Sequence, residues 1–152
     1  MHLISEESGM YKKILFATDF DEVGISAAQK AKKIAEENGA ILFLLHVVEP
    51  IPAYAYPGFA GFAEVEVSIR EQAEKELNTL ADRLGVDAKH RMIEFGSIKN
   101  EVLRVAEEQK IDLLVTGSHG KHGLALLLGS TANAILHGAQ CDMLIVRPKI
   151  HH

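Results

Sequence analysis

A single cysteine, Cys141, stands among 152 residues, which excludes an intramolecular disulfide and fits a reducing compartment. Tryptophan is absent. No apolar run approaches the roughly 20 residues of a membrane helix. The opening MHLISEESG has no basic stretch followed by an apolar core, so it does not read as a secretory signal. A cytoplasmic location is therefore expected. Lys and Arg number 16 against 21 Asp and Glu, a net charge of -5, and no basic block stands out. That balance argues against general nucleic-acid binding. Proline is scarce, and three of the four prolines, Pro50, Pro52 and Pro57, fall within one short stretch. The rest of the chain is thereby left open to regular helices and strands.

What is present is an ordinary globular composition, 47% hydrophobic and 24% charged. The length suits one core and is too short for two ordinary domains. Met10-Tyr11-Lys12-Lys13 reads as a start, so a single domain is expected over residues 10–149, with residues 1–9 a flexible N-terminal extension. The closing His151-His152 reads as a tag remnant without function.

Apolar runs and helical periodicities alternate along the chain. KILFAT, from Lys13 to Thr18, reads as a buried strand. Ile25, Ala28, Ala31, Ile34 and Ala35 then mark a helix over residues 22–38, stopped by Asn38-Gly39. Ala40 to Val48 reads as a second strand. From Glu49 to Ala63 the prolines, glycines and aromatics read as a loop. Val65, Ile69, Ala73, Leu77, Leu80 and Leu84 make a long amphipathic helix that ends at Gly85. Lys89 to Phe95 reads as a strand, and Ser97 caps a helix running to about Gln109. A strand follows from Ile111, then a glycine-rich loop, a helix and a last strand, Asp142 to Arg147.

Such alternation predicts an α/β fold, a doubly wound five-stranded parallel sheet of order 3-2-1-4-5 with helices on both faces. Ligands of these sheets bind beyond the carboxyl ends of the strands, where the strand order reverses. Strands one and four flank that point. Asp19 and Gly117 each stand just after one of them, so two loops far apart in sequence converge on one crevice.

The loop after strand four reads Gly117-Ser118-His119-Gly120, then Gly129-Ser130-Thr131. Glycines after a strand let backbone N–H groups approach a ligand closely, and the following helix aims its positive N-terminus at the same place. Ser130 is a good N-cap whose hydroxyl can turn to a phosphate oxygen. The arrangement suits a phosphate-bearing ligand, although it matches neither the Walker pattern nor G-x-G-x-x-G.

The spacing Gly117-x2-Gly120-x8-Gly129-Ser130 resembles the nucleotide-binding motif of the universal stress protein family, one residue shorter than its usual G-x2-G-x9-G-S/T. KKILFATDF resembles that family's first strand and acidic turn, LLHVVEP its second strand, and LLVTGSHGKHGLALLLGSTANAILHGAQCDMLIVRP its C-terminal third, so the likeness runs from Met10 to Lys149. The retained glycines resemble the family's ATP-binding branch. What the resemblance implies is a stress-response or signalling protein that binds ATP, or AMP or ADP, with Mg²⁺, and forms a homodimer through its last strand. The expected nucleotide contacts are Ala17, Thr18, Asp19, Val47, Thr116, Gly117, Ser118, His119, Gly120, Gly129, Ser130 and Thr131. An unidentified protein partner is also compatible with such a role.

Other chemistries fit less well. Asp19-Phe20-Asp21-Glu22-Val23 resembles the D-x-D-x-T/V motif of haloacid-dehalogenase-like phosphatases, which would make Asp19 a nucleophile. That enzyme also needs a later acidic pair, and strand four ends in Thr116-Gly117-Ser118. Asp19 also suits an N-cap of the first helix. His119 and His122 lack the third and fourth ligands of a zinc site, so no protein-held metal is expected. Lys121 reads as solvated, His46 as packed at a strand end, and Cys141 as a small core residue. A pure interaction module with an empty crevice is the remaining alternative. No residue is assigned to catalysis, and slow ATP hydrolysis is the most activity expected.

Overall fold

The innermost strand is the first. In β1 (Lys13–Ala17) the consecutive residues Ile14, Leu15 and Phe16 are all fully buried, so both faces of the strand are covered. The structure, a computed structural model, describes residues 9–18, 22–50, 61–117 and 131–147. After β1 come α1 (Glu22–Asn38), β2 (Ile41–Val48), α2 (Phe62–Leu84), a 3-10 turn (Ala88–His90) and β3 (Arg91–Phe95). The chain continues through α3 (Ile98–Glu108), β4 (Leu113–Gly117), α4 (Thr131–Gly138) and β5 (Asp142–Val146). All strand pairs are parallel and the sheet order is β3-β2-β1-β4-β5, as the alternating pattern predicts.

Side chains alternate across each strand, so the sheet sorts its apolar residues into two cores. On one face Ile14, Phe16, Leu44 and Val115 meet Ala27, Ala28 and Ala31 of α1 and Leu77, Leu80 and Ala81 of α2. On the other, Leu15, Phe43, Leu45, Val47 and Leu114 meet Val102 and Val105 of α3 and Ile135 of α4. The three alanines of α1 are fully buried and leave little side chain between helix and sheet.

The helix ends follow local chemistry. Gly39 and Gly85 take φ of 64° and 70°, a left-handed conformation that closes α1 and α2 at little steric cost. The Ser97 hydroxyl accepts the Asn100 N–H at 3.1 Å and caps α3. Replacing it (Ser97→Ala) is expected to cost about 1 kcal/mol of stability, read as a lower thermal midpoint.

Two strand starts fall two residues later than the sequence expectation. The segment at Lys89 first makes the 3-10 turn, and β3 begins only at Arg91. The guanidinium of Arg91 donates to the Val86 carbonyl at 2.7 Å and to Asp82 at 2.8 Å, which ties the strand start to the end of α2. Strand four begins at Leu113 rather than Ile111. The intervening Asp112 turns its carboxylate to the backbone N–H groups of Lys12 (2.9 Å) and Lys13 (3.1 Å). It thereby joins the amino ends of β4 and β1. Residues 1–8 of the expected extension over residues 1–9, and most of the proline-rich loop, residues 51–60, lie outside the described residues.

Candidate functional site

The sheet order reverses between β1 and β4, and five of the expected contacts are described at the carboxyl ends of β1, β2 and β4. Ala17 is the register partner of Thr116 across β1–β4 and of Leu45 across β1–β2. The Thr116 hydroxyl donates to the Ala17 carbonyl at 3.3 Å. Gly117 is the last residue of β4 and pairs with Val146. Thr18 follows β1 directly; it is buried, and its N–H donates to the Leu45 carbonyl at 2.9 Å. Val47 is buried two residues further along β2. The structure therefore brings Ala17, Thr18, Val47, Thr116 and Gly117 to one edge of the sheet, from three adjacent strands.

Side-chain direction divides this group. By strand alternation Ala17, Val47 and Thr116 share the face covered by α3 and α4, whereas Thr18 and His46 share the face covered by α1 and α2. His46 was expected to pack at a strand end; it is half-buried there, with Nδ1 2.7 Å from the Thr18 carbonyl oxygen. A histidine closing an otherwise apolar strand, ILFLLHVV, is the sequence signal for that contact.

The backbone of Thr131 opens α4. A crossover helix runs antiparallel to the strands it joins, so the positive end of α4 lies on the crevice side. Asp19, Ser118, His119, Gly120, Gly129 and Ser130 lie outside the described residues, as do Lys121 and His122.

At the end of β4, Thr116 and Gly117 supply no carboxylate for a phosphatase metal pair. Among the described residues, no group of three or more His, Cys, Asp or Glu is placed to hold a metal ion. Nor does any helix there have the length and apolarity to cross a membrane. Cys141 sits at the opposite, amino end of the sheet, half-buried against the α3–α4 core. Burial pushes its thiol above the ordinary value, and the carboxylates of Asp142 and Asp112 add to that. A raised pKa leaves little thiolate, in keeping with a packing role.

Comparison with known proteins bears on the whole of this architecture. Residues 10–147 match the family model described as "Universal stress protein family". The chain is 42% identical to universal stress protein A homolog 2 of Coxiella burnetii, over 91% of this chain and 97% of that one. It is 33% identical to universal stress protein MJ0531 of Methanocaldococcus jannaschii, over 95% and 87% of the two chains. Among solved structures, hypothetical protein MJ0577 superposes with a TM-score of 0.78 at 27% identity, covering 93% of this chain and 99% of that one. A universal stress protein in complex with cAMP superposes with a TM-score of 0.60, also at 27% identity, covering 90% and 96%. On sequence and fold together, this chain belongs to the universal stress protein family.

Proposed function

We propose that the protein binds an adenine nucleotide, ATP, in the crevice at the carboxyl ends of β1 and β4, and acts in stress response or signalling without efficient catalysis. The observation that carries this reading is the pairing of Ala17 with Thr116 at the point where the strand order reverses, with Gly117 as the next residue of β4. Open α/β sheets bind ligands at that point. Ala17 and Val47, with the backbone of Thr18, form the base-facing side, Asp19 the ribose contact. Thr116, Gly117, Ser118, His119, Gly120, Gly129, Ser130 and Thr131 line the phosphate side, where glycines admit the phosphates to backbone N–H groups and α4 offers its positive end. The relative solved in complex with cAMP supports a cyclic or linear adenine nucleotide as the ligand class. Calorimetric titration with ATP tests the reading, and absence of heat at millimolar ATP defeats it.

Mg²⁺ accompanies the nucleotide and is held by phosphate oxygens and water. The described residues supply no acidic cage, and Mg²⁺ keeps several waters beside phosphates. ATP affinity is therefore expected to fall several-fold when excess chelator replaces magnesium. Equal affinities in the two buffers would exclude the ion.

The same reading includes a homodimer through β5, an edge strand of the sheet. A cytoplasmic site of action completes it.

A further inference from the structure

The carbonyl that ends β1 is held by a side chain where the sheet ladder stops. The β1–β2 register closes at Ala17↔Leu45, and the Thr18 N–H makes the last of these bonds, to the Leu45 carbonyl. The Thr18 carbonyl oxygen lies 2.7 Å from His46 Nδ1. A carbonyl oxygen only accepts, so Nδ1 carries the proton and donates. The preceding carbonyl, that of Ala17, takes the Thr116 hydroxyl from the other side of β1. Two successive carbonyls at the end of the central strand are thus tied by side chains from both neighbouring strands.

We propose that His46 is a positioning residue of the crevice: its imidazole fixes the Thr18 carbonyl and so holds the backbone at the carboxyl end of β1. This inference rests on the nucleotide reading above. Alternation turns the His46 side chain to the α1–α2 side, away from the face that Ala17, Val47 and Thr116 share, so it works through the backbone of Thr18 and not by touching the ligand. A residue needed only to fill space in this run would be aliphatic like its neighbours. A half-buried imidazole is favourable there because its donor is used. The 2.7 Å separation is at the short end for N–H···O, which marks a well-made bond.

Three proteins test this by calorimetric titration with ATP and by thermal melting. His46→Phe keeps an aromatic ring and removes the donor. His46→Asn keeps an N–H donor close to the position of Nδ1. Loss of one such bond is expected to weaken ATP binding about tenfold in His46→Phe. In His46→Asn affinity stays within about threefold of the unmodified protein. Both variants are expected to melt close to it. Unchanged affinity in His46→Phe, or equal weakening in both variants, overturns the proposal. Failure of the unmodified protein to bind ATP is a separate result; it removes the nucleotide reading and this inference with it. Should His46→Phe not fold, the imidazole tautomer is read in the unmodified protein from its ¹⁵N shifts. A proton on Nδ1 is expected, and a neutral ring protonated at Nε2 overturns the assignment.

Discussion

Gly117→Val removes ATP binding from a chain that still folds. Gly117 is the last residue of β4, in register with Val146, and its conformation is that of an extended strand. Valine is well suited to such backbone, so the sheet tolerates it and the melting temperature changes little. Alternation turns that side chain to the α1–α2 side with Val115 and Val146, so it acts at the backbone itself, crowding the point where strand gives way to glycine loop and the proposed ligand must approach. Steric exclusion at that point is worth more than one lost hydrogen bond. Affinity is expected to fall at least about 100-fold, roughly 2.8 kcal/mol. Calorimetry that finds the same ATP affinity in the variant would place the nucleotide elsewhere on the molecule.

Ile145→Pro converts the proposed dimer to monomers without opening the sheet. The two edges of the sheet differ in kind. On β3, Arg91 pairs with Asp82, and Glu94 pairs with Arg104, which also holds Glu101 and Glu108. Charged, engaged side chains of this sort discourage a further strand. The run Met143-Leu144-Ile145-Val146 in β5 carries no such charges, and among the described residues no strand pairs with its outer side. The Asp142 N–H donates inward, to the Asp112 carbonyl. In a parallel ladder alternate residues face the same neighbour, so Leu144 and Val146 point their N–H groups toward β4, and Met143 and Ile145 point theirs outward. Proline at position 145 therefore deletes an outer donor and leaves the β4 ladder intact. Two copies joined through this strand about a two-fold axis make a closed, self-complementary contact. Sedimentation is expected to show a dimer for the unmodified protein and a monomer for the variant. An unmodified protein that sediments as a monomer at micromolar concentration would defeat the dimer.

The strand starts show where sequence pattern stops being sufficient. Ile111 is apolar and buried, so by pattern it belongs to the strand. Asp112 keeps it out, because its carboxylate finds the N–H groups of Lys12 and Lys13, about a hundred residues earlier in the chain. Similarly, Lys89 and His90 precede β3 in a turn, and Arg91, anchored to Val86 and Asp82, marks where extension begins. His46 is a third case. Its place at the end of an apolar strand was legible, and its partner was not, since the Thr18 carbonyl is 28 positions away.

By itself the sequence determined the strand and helix alternation and the parallel order that alternation implies, because both depend on periodicity within short stretches, and its motifs carried the resemblance to the family. Ala17, Thr18, Val47, Thr116 and Gly117 could be nominated from the same information, as residues that end strands. The tertiary structure alone decided which of these share a face and how β1 is tied at its end: Ala17 and Thr116 in register, the Thr116 hydroxyl on one carbonyl and the His46 imidazole on the next. Those are contacts between strands far apart in sequence. The two side-chain bonds that tie the end of β1 exist only once β2 and β4 lie on either side of it, because their donors, His46 and Thr116, come from β2 and β4 and their acceptors from the end of β1.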